Sequence, residues 1–245
     1  MKLRPILLAA ALLALPAVSS AKQAPHPDFT GLWLLSTGEK PVVPRAADLK
    51  LTPYGKSRMD ERNAEITHGF PQSEGHIKCL PAGVPQMMTV PFGLQVMQSS
   101  DRLVMNAEVS NLPRTLFMRK GHPDDIDPSW NGDSAAHWEG STLVVDTIGF
   151  NDEDAFDFNF NPAVRRTSSL HLTERFSLEK GGKVLVDQMT LDDPKVFTTP
   201  ATATYRYDKR PKGEGLMEYV CEVDTKTVER FDASHPSESK YKHPF

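Results

Sequence analysis

The 245-residue chain carries 28 Lys and Arg against 32 Asp and Glu, a formal charge of −4, and has two cysteines. That mild acidic excess makes nucleic acid and anionic membrane surfaces poor partners, and the length is enough for one large β domain with a substantial core. No glycine-rich dinucleotide loop, P-loop or Gly-x-Ser-x-Gly elbow occurs, which argues against NAD, ATP and serine-hydrolase chemistry and points to a protein that works without a cofactor.

Residues 1–21 read as an export leader. Lys2 and Arg4 precede the apolar run ILLAAALLAL, and Ser19-Ser20-Ala21 offers small residues before a cut near Lys22. The run is short for a bilayer span. The expectation is a periplasmic or secreted protein with no stable membrane insertion, its formal charge moving from −4 to −6 as Lys2 and Arg4 are lost. In an oxidising compartment Cys79 and Cys221 pair most simply with each other, tying an early irregular segment to the last strand. A reactive thiol is the weaker reading, because its partner would be left open to oxidation.

Residues 22–50 read as an export linker and a first strand, which carries Gly31-Leu32-Trp33. A barrel domain over 51–223 follows. It opens on a helix at 51–64, with Thr52 as N-cap and Pro53 at the first helical position. Strands begin at Thr89, with Val90, Phe92, Leu94 and Val96 sharing one face; Arg102 to Val109 and Pro113 to Arg119 continue the meander, with no helix-length crossover between them. The Asp- and Pro-rich turn at 121–133 holds His122, Asp124, Asp125 and Asp127, but no EF-hand or His-x-x-x-His spacing, so no metal is assigned to it.

A hairpin follows over 134–149, turning at Glu139-Gly140, with Trp138, Leu143 and Val145 on one face and Asp133, His137, Val144 and Asp146 on the other. The polar face is either solvated or the wall of a cavity. Phe156, Phe158 and Phe160, two apart with acids between, suggest an edge strand or an aromatic flap. Ala201 to Asp208 puts Ala201, Ala203, Tyr205 and Tyr207 on one face, as a tapered barrel interior requires. Leu216 to Val223 reads as a last strand, and 224–245 as a charged tail.

The most informative hairpin is 168–192, turning at Gly181-Gly182. Pairing about that turn sets Phe176 against Asp187 and makes Glu174 and Asp187 diagonal neighbours on a face otherwise built of Leu, Met and Phe. A carboxyl group on such a face is pushed toward its neutral form. A neutral carboxyl beside an ionised one is what general acid–base chemistry uses. The competing reading is a structural ion pair with an arginine such as Arg206 or Arg175.

Two resemblances bear on this. Gly31-Leu32-Trp33 resembles the opening motif of lipocalins, where the Trp plugs the closed end of a barrel. The runs DPSWNGDS at 127–134, WEGSTLVVDTIGF at 138–150, LHLTERF at 170–176, Asp192-Asp193-Pro194 and EYVCE at 218–222 resemble a large set of exported bacterial proteins of undefined function. That likeness implies a mostly β, barrel-like exported domain and no particular reaction. Typical members carry Pro-His-Ser where this chain has Arg165-Arg166-Thr167, so no role for that histidine carries over.

The expected fold is all-β, an antiparallel meander closing into a calycin- or lipocalin-like barrel of about 9–10 strands with a short N-terminal helix. The expected function is cofactor-independent lyase or isomerase chemistry on a hydrophobic small molecule, for instance a lignin-derived aromatic or a terpenoid. Glu174 and Asp187 would move protons, helped by Tyr205 and by His137 or His171. Trp33, Phe92, Trp138, Asp146, Phe176 and Tyr207 would line the binding site. A non-catalytic binding barrel and a structural envelope domain are the alternatives.

Overall fold

The computed structural model describes residues 26–70, 74–110, 112–151, 157–158 and 164–234. The expected leader and most of the aromatic run at 156–160 lie outside them. The strands are β1 (Gly31–Leu35), β2 (Leu94–Gln98), β3 (Arg102–Ala107), β4 (Arg114–Met118), β5 (Asp133–Glu139) and β6 (Thr142–Ile148), then β7 (Asp157–Phe158) and β8 (Val164–Arg165) as a separate pair, and β9 (His171–Glu179), β10 (Val184–Asp192) and β11 (Ala201–Lys209). Nine of them close into one barrel in the order β1-β11-β10-β9-β6-β5-β4-β3-β2, with β1 bonded to both β11 and β2. Closure leaves no edge strand in the barrel.

Strand parity builds the interior. Leu172, Glu174 and Phe176 on β9, Leu185, Asp187, Met189 and Leu191 on β10, and Ala201, Ala203, Tyr205 and Tyr207 on β11 are all buried, and their odd-phase neighbours His171, Arg175 and Gln188 are exposed. The β9–β10 register sets Phe176 against Asp187 and Glu174 against Met189, as the sequence predicts. Lys180, Gly181 and Gly182 turn the hairpin with φ of 51°, 65° and 86°, which glycine adopts without steric penalty at two of the three positions. Trp33 closes one end: it is fully buried, its Nε1 donates to the Phe29 carbonyl at 2.8 Å, and the Lys209 ammonium lies 5.0 Å from its ring centre.

Several expectations are corrected. The barrel is mixed, because β4 and β5 pair in parallel. The connection 119–132 is long enough to cross over and re-enter from the same end without a helix, a route that a plain meander lacks. Residues 86–89 form a helical turn (α3, Gln86–Thr89), after α1 (Pro53–Thr67) and α2 (Glu74–Ile77). Phe92 N–H then donates to the Val90 carbonyl at 2.9 Å in a tight turn, so alternation starts only at Leu94 and Phe92 faces outward, 37% exposed. The β5–β6 hairpin centres one residue later than expected, with Glu139 opposite Thr142 and Trp138 opposite Leu143. The pairing shifts by two, so each side chain keeps its face. Barrel strands run from Gly31 to Lys209, so the first strand belongs with the barrel and the segment 216–223 does not. That segment is no strand, since the barrel has already closed and offers it no edge.

The segment 216–223 is held by the Cys79–Cys221 disulfide, with Cα atoms 5.7 Å apart across a sequence separation of 142, and by the Met217 N–H donating to Glu108 at 2.8 Å. Beside it, α4 (Thr225–Ser234) packs Val228 and Phe231 against Phe70 and Ile77 in a small second core, and Lys78 pairs with Asp232 at 2.7 Å. The helix α1 starts as its sequence dictates, the Thr52 side chain accepting from Gly55 N–H at 3.0 Å with Pro53 following. It is anchored through Glu65, which binds Arg165 of β8 at 2.8–2.9 Å and Arg62 at 3.0 Å, all three side chains buried. Among the described residues no helix is long and apolar enough to cross a membrane.

Candidate functional site

The barrel interior gathers polar groups from six strands into one patch. Arg114 points inward from β4, Ser134 from β5, Thr147 from β6, Glu174 from β9, Asp187 from β10 and Tyr205 from β11, all of them buried. Gly132 sets the start of β5 with φ of 65°; a Cβ there would meet the Ile148 carbonyl at 2.6 Å, so only glycine allows the close approach to β6. Arg114 grips Glu174 with both ends of its guanidinium, Nη1 to Oε1 at 2.8 Å and Nη2 to Oε2. Nη2 also donates to Thr147 Oγ1 at 3.0 Å and to Ser134 Oγ at 3.3 Å, and the two hydroxyls bond each other at 2.9 Å. Such a bidentate, fully hydrogen-bonded pair is the arrangement that lets two opposite charges survive desolvation.

Asp187 differs. It is fully buried, and neither carboxyl oxygen has a hydrogen-bond partner among the described residues. Burial, reinforced by the nearby Glu174 charge and only partly offset by Arg114, holds its pKa well above the ordinary carboxylate value. The neutral acid is the form that fits this site. Tyr205 is its cross-strand partner on β11, and burial, then the Asp187 charge, pushes the phenol above its usual value, so it too stays protonated. Tyr207, one inward position further, is likewise raised by burial, and its hydroxyl donates to the Met88 carbonyl. The site therefore holds two neutral O–H donors beside a carboxylate locked to an arginine.

Sequence reasoning misses Arg114 and looks for the counter-charge on Arg175 or Arg206. Both of those face outward: Arg175 binds Glu139 at 2.8 Å, and Arg206 lies near Glu39 and Glu179 at 3.2 and 3.4 Å. The available signal is parity, since Arg114 is in phase with Leu116, which is fully buried.

The two predicted histidines do not join this patch. His137 is on the outer face, 3.4 Å from Glu139. His171 is also outside, where it belongs to a chain of charged groups running diagonally over the barrel wall. Its Nε2 meets Asp146 Oδ1; Asp146 Oδ2 is 3.1 Å from His122 Nε2; His122 Nδ1 is 2.6 Å from Asp133 Oδ1; and Asp133 is gripped by Arg119. Burial alone would raise the Asp133 carboxyl, but hydrogen bonds from Arg119 and His122 outweigh it and hold the pKa below the ordinary value. Asp146 thus sits on the solvated side of β6. His122, in the Asp-rich 121–133 turn, folds back between two carboxylates. Among the described residues no three His, Cys, Asp or Glu side chains are arranged to hold a metal ion.

Of the predicted binding residues, Phe176 and Tyr207 line the interior, Trp33 caps it, and Trp138 is half-buried at the rim, stacked on His26 at 4.5 Å and near Phe29 at 5.5 Å. Phe92 packs outside against Tyr219, ring centres 6.3 Å apart. Clefts among the described residues lie elsewhere. One, of about 450 Å³, lies between 75–82, the end of β3 and the segment 216–221; another, of about 590 Å³, is lined by His26, Asp28, Thr30, Gln98, Met118 and Trp138. Neither is lined by Glu174 or Asp187. No protein-family model matches the chain, and a search of curated proteins finds no match to it.

Proposed function

We propose that this protein is an exported, cofactor-independent lyase or isomerase that uses the Glu174–Asp187–Tyr205 patch on a hydrophobic carbonyl compound. One observation carries the reading: a buried carboxyl group, Asp187, with no hydrogen-bond partner for either oxygen among the described residues. Buried polar atoms left unpaired are rare, because each forfeits a hydrogen bond it had in water. An uncharged carboxylic acid next to a protonated tyrosine is a pair of donors suited to the oxygen of a substrate carbonyl as it becomes an enolate. Glu174, oriented by Arg114, would accept the proton lost from the neighbouring carbon, and Asp187 would give its own proton at a new position or to a leaving group; passage of the proton from Glu174 to Asp187, directly or through water, would reset the pair. The surrounding Leu, Met and Phe side chains suit an apolar aromatic or terpenoid body.

The test works whatever the product. Aromatic and terpenoid carbonyl compounds are incubated with the protein in deuterated water, and deuterium incorporation is followed by mass spectrometry. Incorporation by the native protein that disappears in Asp187→Asn, with the fold retained, supports the assignment. Incorporation unchanged in both Asp187→Asn and Glu174→Gln removes it. The close packing around the patch favours a second reading, a structural envelope domain whose buried acids serve only the fold. In that case no exchange is seen with any compound, and Asp187→Asn and Glu174→Gln change stability alone.

A further inference from the structure

The cleft of about 450 Å³ beside the disulfide lies outside the barrel wall and is unrelated to the interior patch. Its walls are β3 and the residues just after it, the turn around Cys79, and the strap that Cys221 ties down. The volume is within the range of small-molecule sites. Its lining includes the Glu108 carboxylate, the Asn106 amide, the side chains of Leu80, Met217 and Tyr219, and His76; it includes neither a lysine nor an arginine, so Glu108 is its one carboxylate and His76 its one basic side chain.

Glu108 has no positively charged partner among the described residues. Oε1 accepts the Met217 N–H at 2.8 Å and Oε2 the Gly93 N–H at 2.9 Å. Those two bonds fix the carboxylate in place, yet an ionised carboxylate has about four acceptor positions, so roughly half remain open. The Asn106 side chain, near the end of β3 and also lining the cleft, makes no hydrogen bond among the described residues and has a carbonyl oxygen to add. Across the cleft Tyr219 is 48% exposed and tilted against Phe92, so an aromatic surface is presented beside the carboxylate. The strap brings two further exposed acids, Glu218 and Glu222.

We propose that this cleft is a binding site for a small organic cation, an ammonium group carried on an apolar or aromatic body. The ammonium would donate to Glu108 and to the Asn106 carbonyl, with Tyr219 contributing cation–π attraction. The body would lie against Leu80 and Met217. Met217 is 72% exposed and so leaves apolar surface open to such a body.

Isothermal titration with three isosteric probes tests the assignment: 2-phenylethylammonium, 2-phenylethanol and 3-phenylpropionate. The cation is expected to bind roughly tenfold or more tightly than the alcohol, and the anion not to bind, because a charge-assisted hydrogen bond separates them. Glu108→Gln should erase the difference between cation and alcohol. Because Glu108 also holds the strap, two further variants keep the test decisive if that one misfolds. Tyr219→Ala should weaken the cation severalfold at an unchanged melting temperature, and Asn106→Asp should widen the gap between cation and alcohol. Equal affinity for cation and alcohol, no heat from the cation at millimolar concentration, or a gap untouched by the variants that fold would each overturn the proposal.

Discussion

Strands β5, β6 and β9 carry two polar systems, one on each side of the same wall. Ser134, Thr147 and Glu174 face inward and Asp133, Asp146 and His171 outward, so neighbours in sequence sit in different chemical environments. Each system is built from acids bonded to an arginine, Arg114 inside and Arg119 outside. Inside, the ion pair is fully buried and the groups that answer its charge are fixed dipoles; outside, Asp146 and His171 keep 39% and 49% of their side-chain surface in solvent. Water screens the outer chain and leaves the inner one at full strength. The inner patch holds Asp187 as a neutral carboxyl, and the outer chain keeps its Asp146–His171 end in contact with water.

The sharpest way to break this comparison is to remove one half of the inner pair. Arg114→Leu leaves Glu174 buried beside Asp187 with no counter-charge, and the expected loss is about 3–5 kcal/mol in urea unfolding. Replacing Arg114 and Glu174 together by apolar residues of similar volume should recover most of that loss. A single-variant loss under about 1 kcal/mol would mean that water reaches the interior. The disulfide acts at a distance from both systems: Cys221→Ser, which frees the strap and the small core under α4, is expected to cost about 2–5 kcal/mol. An unchanged melting temperature after reduction would count against it.

The unpartnered Asp187 supplies the next largest effect, and its sign is fixed by the direction of its shift. The folded pKa lies above the unfolded value, so the neutral form favours folding; that contribution is complete below about pH 3.9 and is lost as pH rises toward the folded pKa. Asp187→Leu, of nearly the same shape, removes the dependence. The stability of the variant relative to the native protein should therefore rise with pH above about 4, by about 1.4 kcal/mol per unit until the folded pKa is passed. Chemical unfolding at pH 4, 5, 6 and 7 measures the slope, and a flat difference would show that the group titrates normally.

How much of this is legible in the sequence depends on the range of the forces involved. The 168–192 hairpin, its register and the inward placement of Glu174 and Asp187 follow from alternation and a glycine turn, both local. The disulfide follows from counting cysteines. Arg114 escapes notice because β4 is short and its contact with Glu174 spans 60 residues of sequence, although its phase with Leu116 is visible. Phe92 is misplaced because the turn at Val90 resets the alternation; Pro91 and Gly93 on either side of it are the residue types that mark the turn, and the apolar spacing of Val90, Phe92 and Leu94 masks them. The segment 216–223 has a strand's pattern and is not a strand, since pairing also needs a free edge and the β1–β11 closure uses the last one.

The smallest effect is expected on the outer wall, and it is the one that tests the comparison from the other side. His171→Ala removes one end of the His171–Asp146–His122–Asp133–Arg119 chain, yet Asp146 keeps His122 as a partner and stays open to water. Exposed pairs of this kind contribute about 0–1 kcal/mol, and what they contribute falls with ionic strength. The variant should differ from the native protein by less than about 1 kcal/mol in dilute buffer and by nothing measurable in about 1 M salt, where the screening length is about 3 Å. The Arg114→Leu loss should survive the same salt, because ions do not enter a packed interior. A salt-resistant loss of several kcal/mol in His171→Ala would mean that the outer chain is shielded from solvent, and the contrast between the two faces would be gone.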